Sequence, residues 1–328
     1  MNSTTPDLRT LFRSYLLALV GICLILPACS SLQSIKSPNA RKLILRDEGL
    51  SQLSYVDLSD SSKNWYAAVP AGRDLQLVGD GKVLIGTGTG YEERDIANGT
   101  KVSELTTYPG TQTARRLRNG NTLLAGANWQ GKEGIVLVEA DKNGSVQRLI
   151  VFPGFSYVRC IRETVKGTFL VTADNTVFEG DNKGNILWRA KITSTLEKPH
   201  IWQAVRLANG ETIVSTGYAK NFQVFSPEGK LVSTFTGPTE TNPNFFAGFQ
   251  VLKNRNYVVT NWQGHGPKFG ASGEQLLEFS PDGRLVWSWK QNPERFSSLQ
   301  GVIVLDDLDI SKLHVEDARG VPAPVDND

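Results

Sequence analysis

The sequence predicts an all-β fold, a six-bladed β-propeller. Three observations predict it: a strand–turn–strand signature that returns six times, a second hairpin signature interleaved with it, and a step of about forty-five residues between copies. The 328 residues are 40% hydrophobic and 21% charged, which suffices for a sizeable core. The 35 basic and 33 acidic residues nearly cancel, and no basic run is placed to track a phosphate backbone. Nucleic acid is therefore not an expected partner.

The first signature is an apolar strand, a polar turn usually holding glycine, and a second apolar strand. It runs Leu77-Val78-Gly79-Asp80-Gly81-Lys82-Val83-Leu84, then Leu117-Arg118-Asn119-Gly120-Asn121-Thr122-Leu123-Leu124. It returns around Gly167, around Gly210, and at Leu252-Lys253-Asn254-Arg255-Asn256-Tyr257, with a clipped sixth copy over Val304 to Ile310. Its glycines step by 39 residues from Gly81 to Gly120, 47 to Gly167 and 43 to Gly210, the spacing of four-stranded blades.

The second signature is a hairpin whose turn ends in glycine and whose return strand often carries tryptophan. Copies are Asp141-Lys142-Asn143-Gly144, Asp181-Asn182-Lys183-Gly184-Asn185-Ile186-Leu187-Trp188, Ser226-Pro227-Glu228-Gly229 and Ser280-Pro281-Asp282-Gly283 through Trp287. Asn-Gly and Asp-Gly turns between β-prone runs are strong hairpin signals, because glycine accepts the positive φ the turn needs. With strands named a to d from the channel outward, one c–d copy, Tyr55 to Tyr66, precedes the first a–b pair. The expected closure pairs this N-terminal c–d hairpin with a C-terminal a–b hairpin, which leaves the ring no open edge. The Asn-Gly-Asn-Thr-Leu-Leu and Asp-x-x-Gly-Asn-x-x-Trp patterns, over residues 53–315, resemble the quinoprotein-like and arylsulfotransferase-like superfamily of PQQ-like repeats. The resemblance bears on architecture more than on chemistry.

Residues 1–28 read as a lipoprotein signal peptide. Arg9 and Arg13 precede the apolar run Tyr15 to Leu26, which is short for a membrane span, and Leu26-Pro27-Ala28-Cys29 resembles a bacterial lipobox. Lipidation of Cys29 would anchor the protein to a membrane of the bacterial cell envelope with its domain outside the cytoplasm, and Ser30 after the cysteine favours the outer membrane. Cys23 would leave with the signal and Cys160 would stand alone, so no intrachain disulfide is expected. Residues 29–42 read as a tether, 43–316 as the propeller and 317–328 as a disordered tail; the protein is expected to be a monomer.

In a propeller the d–a and b–c loops share one face around the channel. Alignment on the turn glycines puts Arg73, Gln112, Arg159, Trp202, Ala247 and Gln300 at equivalent positions near the start of strand a, with Gln203 beside Trp202. Two arginines with glutamines and an indole suit an anionic or sugar-like ligand. His200, in Pro199-His200-Ile201-Trp202, occupies a position at which the arylsulfotransferase resemblance implies a channel histidine, a nucleophile or general acid–base. Asn-Trp-Gln-Gly occurs twice, at residues 128–131 and 261–264, each after a strand b, which puts Trp129, Trp262 and the following His265 on the same face.

No metal-ligand spacing, Gly-x-Ser-x-Gly elbow or phosphate loop occurs, and Gly86-Thr87-Gly88-Thr89-Gly90 opens no helix. No cofactor or metal is expected. Three readings stay open: a propeller binding a small molecule or protein at its channel face, a propeller enzyme (transferase, lyase or hydrolase) using His200, and a non-catalytic envelope scaffold.

Overall fold

A computed structural model describes residues 38–325. The signal peptide, Cys29 and most of the tether lie outside the described residues. The apolar runs form six four-stranded antiparallel sheets. After β1 (Lys42–Asp47), β2 (Gln52–Asp57) and β3 (Trp65–Ala68), blade 1 is β4 (Leu75–Gly79), β5 (Lys82–Thr87), β6 (Gly90–Asp95) and β7 (Lys101–Leu105). Blade 2 is β8 (Thr113–Arg116), β9 (Thr122–Ala127), β10 (Ile135–Ala140) and β11 (Val146–Phe152), and blade 3 is β12 (Val158–Glu163), β13 (Phe169–Ala173), β14 (Thr176–Gly180) and β15 (Ile186–Lys191). Blade 4 is β16 (Gln203–Arg206), β17 (Thr212–Ser215), β18 (Phe222–Phe225) and β19 (Leu231–Phe235); blade 5 is β20 (Phe245–Val251), β21 (Tyr257–Trp262), β22 (Leu276–Phe279) and β23 (Leu285–Trp289). The inner strands β4, β8, β12, β16, β20 and β24 (Leu299–Val304) touch in turn and close the ring.

The six-bladed propeller and its closure by the two ends of the chain are as the sequence predicts. The division of the seam differs. Its order is β24-β1-β2-β3, so the N-terminus supplies strands b, c and d and the C-terminus supplies a alone. Leu43-Ile44-Leu45 is a fully buried run suited to an inner strand, whereas Asp306-Asp307-Leu308-Asp309 breaks after β24 into a turn. Arg41, read as tether, is also part of the blade: it is buried against Glu278 at 2.7 Å and stacks on Trp287.

The expected disordered tail is instead a plug as far as residue 325. The hairpin β25 (His314–Glu316) and β26 (Pro322–Pro324) closes the channel on the side of the Asn-Gly turns. Val78 bridges Leu313, Gln76 donates to the His314 carbonyl at 3.0 Å, and Val321 joins the apolar core of blades 4 and 5. Glu316 meets Arg115 at 2.7 Å and Arg162 at 3.0 Å, and Asp74 takes Arg162 at 2.9 Å. A carboxylate pair and a guanidinium pair, all nearly sealed from water, thus tie blades 1, 2 and 3 to the plug.

Glutamine side chains lock neighbouring blades. Gln76 exchanges two hydrogen bonds with the Arg116 backbone, Gln203 with Phe249 and Gln250 with Val304. Each amide imitates a strand backbone where two inner strands diverge, so a donor and an acceptor that would be stranded in the channel are both satisfied.

Candidate functional site

On the loop face the channel opens into a cavity of about 430 Å³. The phase alignment of the blades brings Arg73, Gln112, Arg159, Trp202 and Gln300 to its wall, and His200, Trp262 and His265 join them from adjacent loops. Tyr157, Tyr218, Phe245 and Glu48 also line it, and the sequence had not singled them out.

Arg159 sits in a bulge of β12, where the register to β13 shifts between Val158 and Ile161. A bulge re-aims the side chain it carries, and here it turns a guanidinium toward the channel mouth. The Arg159 guanidinium carbon lies 4.6 Å from the Tyr157 ring centre and 5.0 Å from that of Trp202, with that of Arg73 at 5.1 Å and 5.7 Å from the same rings. Arg73 also donates to the Tyr157 hydroxyl. No carboxylate pairs with either arginine among the described residues, and Arg159 Nε is buried without a hydrogen-bond partner. Burial, followed by the neighbouring charge of Arg73, pushes the Arg159 pKa down to about 10. Two cations thus share one partly desolvated space, held among the described residues by π faces and a phenol. An anion between them would relieve both.

The wall that continues from Trp202 is apolar. Phe245 packs edge to face with Trp202, Tyr218 and Trp262, and Tyr218 with Trp262, at ring separations of 4.7–6.2 Å. His200 faces Tyr157 and Tyr218, and no described group hydrogen-bonds its ring. Burial first, then Arg159, Lys198 and Arg73, lowers its pKa and favours the neutral ring. Its backbone is left-handed, φ 58°, and Tyr218 N donates to the Pro199 carbonyl at 2.8 Å to hold that turn. A Cβ on Gly217, itself at φ +62°, would stand 2.2 Å from the His200 carbonyl oxygen. Gly217→Ala is expected to cost about 1–3 kcal/mol and to displace His200, which thermal unfolding and the histidine ring resonances would show together.

Two expected ligand contacts fall elsewhere. Gln203 is spent on the Phe249 backbone, as a blade clamp. Trp129 leaves the cavity although it shares the Asn-Trp-Gln-Gly motif with Trp262. Asn128 is left-handed at φ 56° and starts a 3-10 turn, which lays Trp129 against Tyr108 and over Gly126, where a Cβ would come within 2.2 Å of the indole. Trp262 is instead the last residue of β21 and continues straight into the cavity. The four letters are the same and the backbones are not.

No protein-family model and no curated protein sequence matches the chain. Solved structures do resemble it. A Bacteroides caccae protein of unknown function has a TM-score of 0.65 at 21% identity, covering 82% of this chain and 100% of that one. A streptogramin B lyase gives 0.55 at 13%, over 87% and 93%. A calcium-binding regucalcin from Agrobacterium tumefaciens gives 0.51 at 16%, over 81% and 92%. At these identities the likeness is one of fold, and none of the three is described as a quinoprotein or an arylsulfotransferase. Among the described residues no cluster of three metal-ligating side chains occurs.

Proposed function

We propose that this propeller binds a small anionic molecule with an apolar body in the loop-face cavity. The observation that carries the reading is the pair Arg73 and Arg159, two guanidiniums with no carboxylate partner among the described residues, facing one aromatic-walled space. Guanidinium forks take carboxylate, sulfate or phosphate in two-point bonds, and the Trp202–Phe245–Trp262 wall suits a ring or alkyl body. Calorimetry with benzoate, phenyl phosphate, neutral benzyl alcohol and methyl glucoside tests it. The anions should bind, and the neutral compounds should not. Equal binding of methyl glucoside would replace the anion reading with a sugar reading.

A second reading, an enzyme, is favoured by His200, whose ring faces the same space with no hydrogen-bond partner among the described residues. A streptogramin B lyase among the structures of this fold shows that the architecture can carry a lyase, without assigning one here. We propose further that the protein reaches the cell envelope through lipid on Cys29, the outer membrane being favoured by Ser30. Metabolic labelling with an alkyne fatty acid should mark the wild type and leave Cys29→Ala unmarked.

A further inference from the structure

The cavity that the arginine pair lines also holds a histidine with the support a proton acceptor needs. His265 Nδ1 lies 2.9 Å from Glu48 Oε1, and Glu48 Oε2 accepts from Trp262 Nε1 at 3.0 Å. Both carboxylate oxygens are therefore held. The His265 ring stands edge-on to Trp262 at 4.7 Å, with its side chain 79% exposed at the mouth. Donation from Nδ1 to Glu48 leaves Nε2 as the acceptor nitrogen, the arrangement in which a carboxylate orients an imidazole as a base. Among the described residues no serine, cysteine, lysine or aspartate lines the cavity, so these offer no covalent nucleophile there. What it offers is a base, two cations placed to stabilise negative charge on oxygen, and an apolar wall.

We propose that Glu48 and His265 make this cavity the site of a carbon-acid enzyme acting on 2-oxo acids with an aromatic or apolar side chain. The proposal rests on the anion-binding reading. The carboxylate and 2-oxo oxygens of the substrate face Arg73 and Arg159, and its ring lies on the Trp202–Phe245 wall. The C3–H bond breaks and its proton passes to His265 Nε2. The electron pair becomes the C2–C3 double bond, and the carbonyl π pair moves to the 2-oxygen, which the guanidiniums hold as an enolate. Return of the proton to C3 restores the keto acid; protonation at the oxygen gives the enol. Glu48 is a positioning residue and His265 the catalytic one.

Phenylpyruvate in D₂O tests this, with loss of the C3 proton signal read by NMR and affinity read by calorimetry. Wild type should exchange C3 at least about 100-fold faster than buffer. His265→Asn should lose about 100-fold and Glu48→Gln about 10-fold in kcat, both with KM and melting temperature unchanged. Binding of phenylpyruvate without exchange, or exchange that survives in His265→Asn, overturns the enzyme proposal and leaves the binding reading intact. If benzoate binds and phenylpyruvate does not, the 2-oxo acid class is wrong. If no anion binds, both readings fall.

Discussion

Arg73→Ala and Arg159→Ala are each expected to weaken binding of an aromatic anion by about 10- to 100-fold, and the double variant to abolish it, because each charge-assisted bond contributes about 1.5–3 kcal/mol. The same substitutions should leave the melting temperature unchanged or raise it. Arg159 is pushed down to about 10 by burial and by Arg73, so removing either arginine relieves the other of a like charge. Lost affinity with retained stability separates a ligand site from a structural one. A structural arginine would behave in the opposite way, its removal unfolding the protein and barely changing the affinity of what remained folded. Raised salt should weaken binding as well, since the pair lies at an open mouth where ions screen it.

Asp74→Asn is expected to cost about 3–5 kcal/mol, the largest single loss of stability foreseen here, because it leaves Arg162 and Arg115 partly uncompensated in a sealed channel. Chemical denaturation would measure it. The network also sets an acid limit. Burial pushes the Asp74 carboxyl up, but Arg162 and Arg115 outweigh it and hold it below its ordinary value. Burial likewise pushes Glu316 up, and Arg115 and Arg162 bring it below the usual range. A carboxyl with a depressed folded pKa stabilises the fold above its unfolded pKa, near 4, and loses that contribution as pH falls through the folded value. Wild type should therefore lose stability steeply below about pH 4. Asp74→Asn should start lower and fall less steeply, because one of the two depressed carboxyls is gone.

Much of this architecture is legible in the sequence because its turns need particular residues. Gly120 at φ +84° and Gly184 at φ +86° stand in the Asn-Gly and Lys-Gly turns that mark blades 2 and 3. Blade phase then carried Arg73, Arg159 and Trp202 to one wall without any knowledge of contacts. The parts that escaped have identifiable causes. Glu48 lies in the b–c loop of the seam blade, and its place on the wall follows only once Lys42–Asp47 is seen to be an inner strand rather than the end of a tether. The plug escaped because Pro322 and Pro324 read as breakers, although an edge strand of a two-stranded hairpin accommodates proline. Its anchor, Glu316, lies 201 residues from Arg115, and no local pattern relates them. Gln203, expected at the mouth beside Trp202, lies one position deeper, where the inner strands part and its amide is claimed by the Phe249 backbone.

Two layers of the channel thus differ in kind. Below, Asp74 and Glu316 answer Arg115 and Arg162, and the plug seals them. Above, Arg73 and Arg159 are answered, among the described residues, by aromatic faces and the Tyr157 hydroxyl. The central claim, that an anion belongs between those two guanidiniums, is tested most directly by diffraction from crystals grown with 3-bromobenzoate. The account predicts a bromine anomalous peak against the Trp202–Phe245 wall, with the carboxylate between Arg73 and Arg159. Bromine sites confined to the outer surface, with both guanidiniums still stacked on Tyr157 and Trp202 alone, would contradict it.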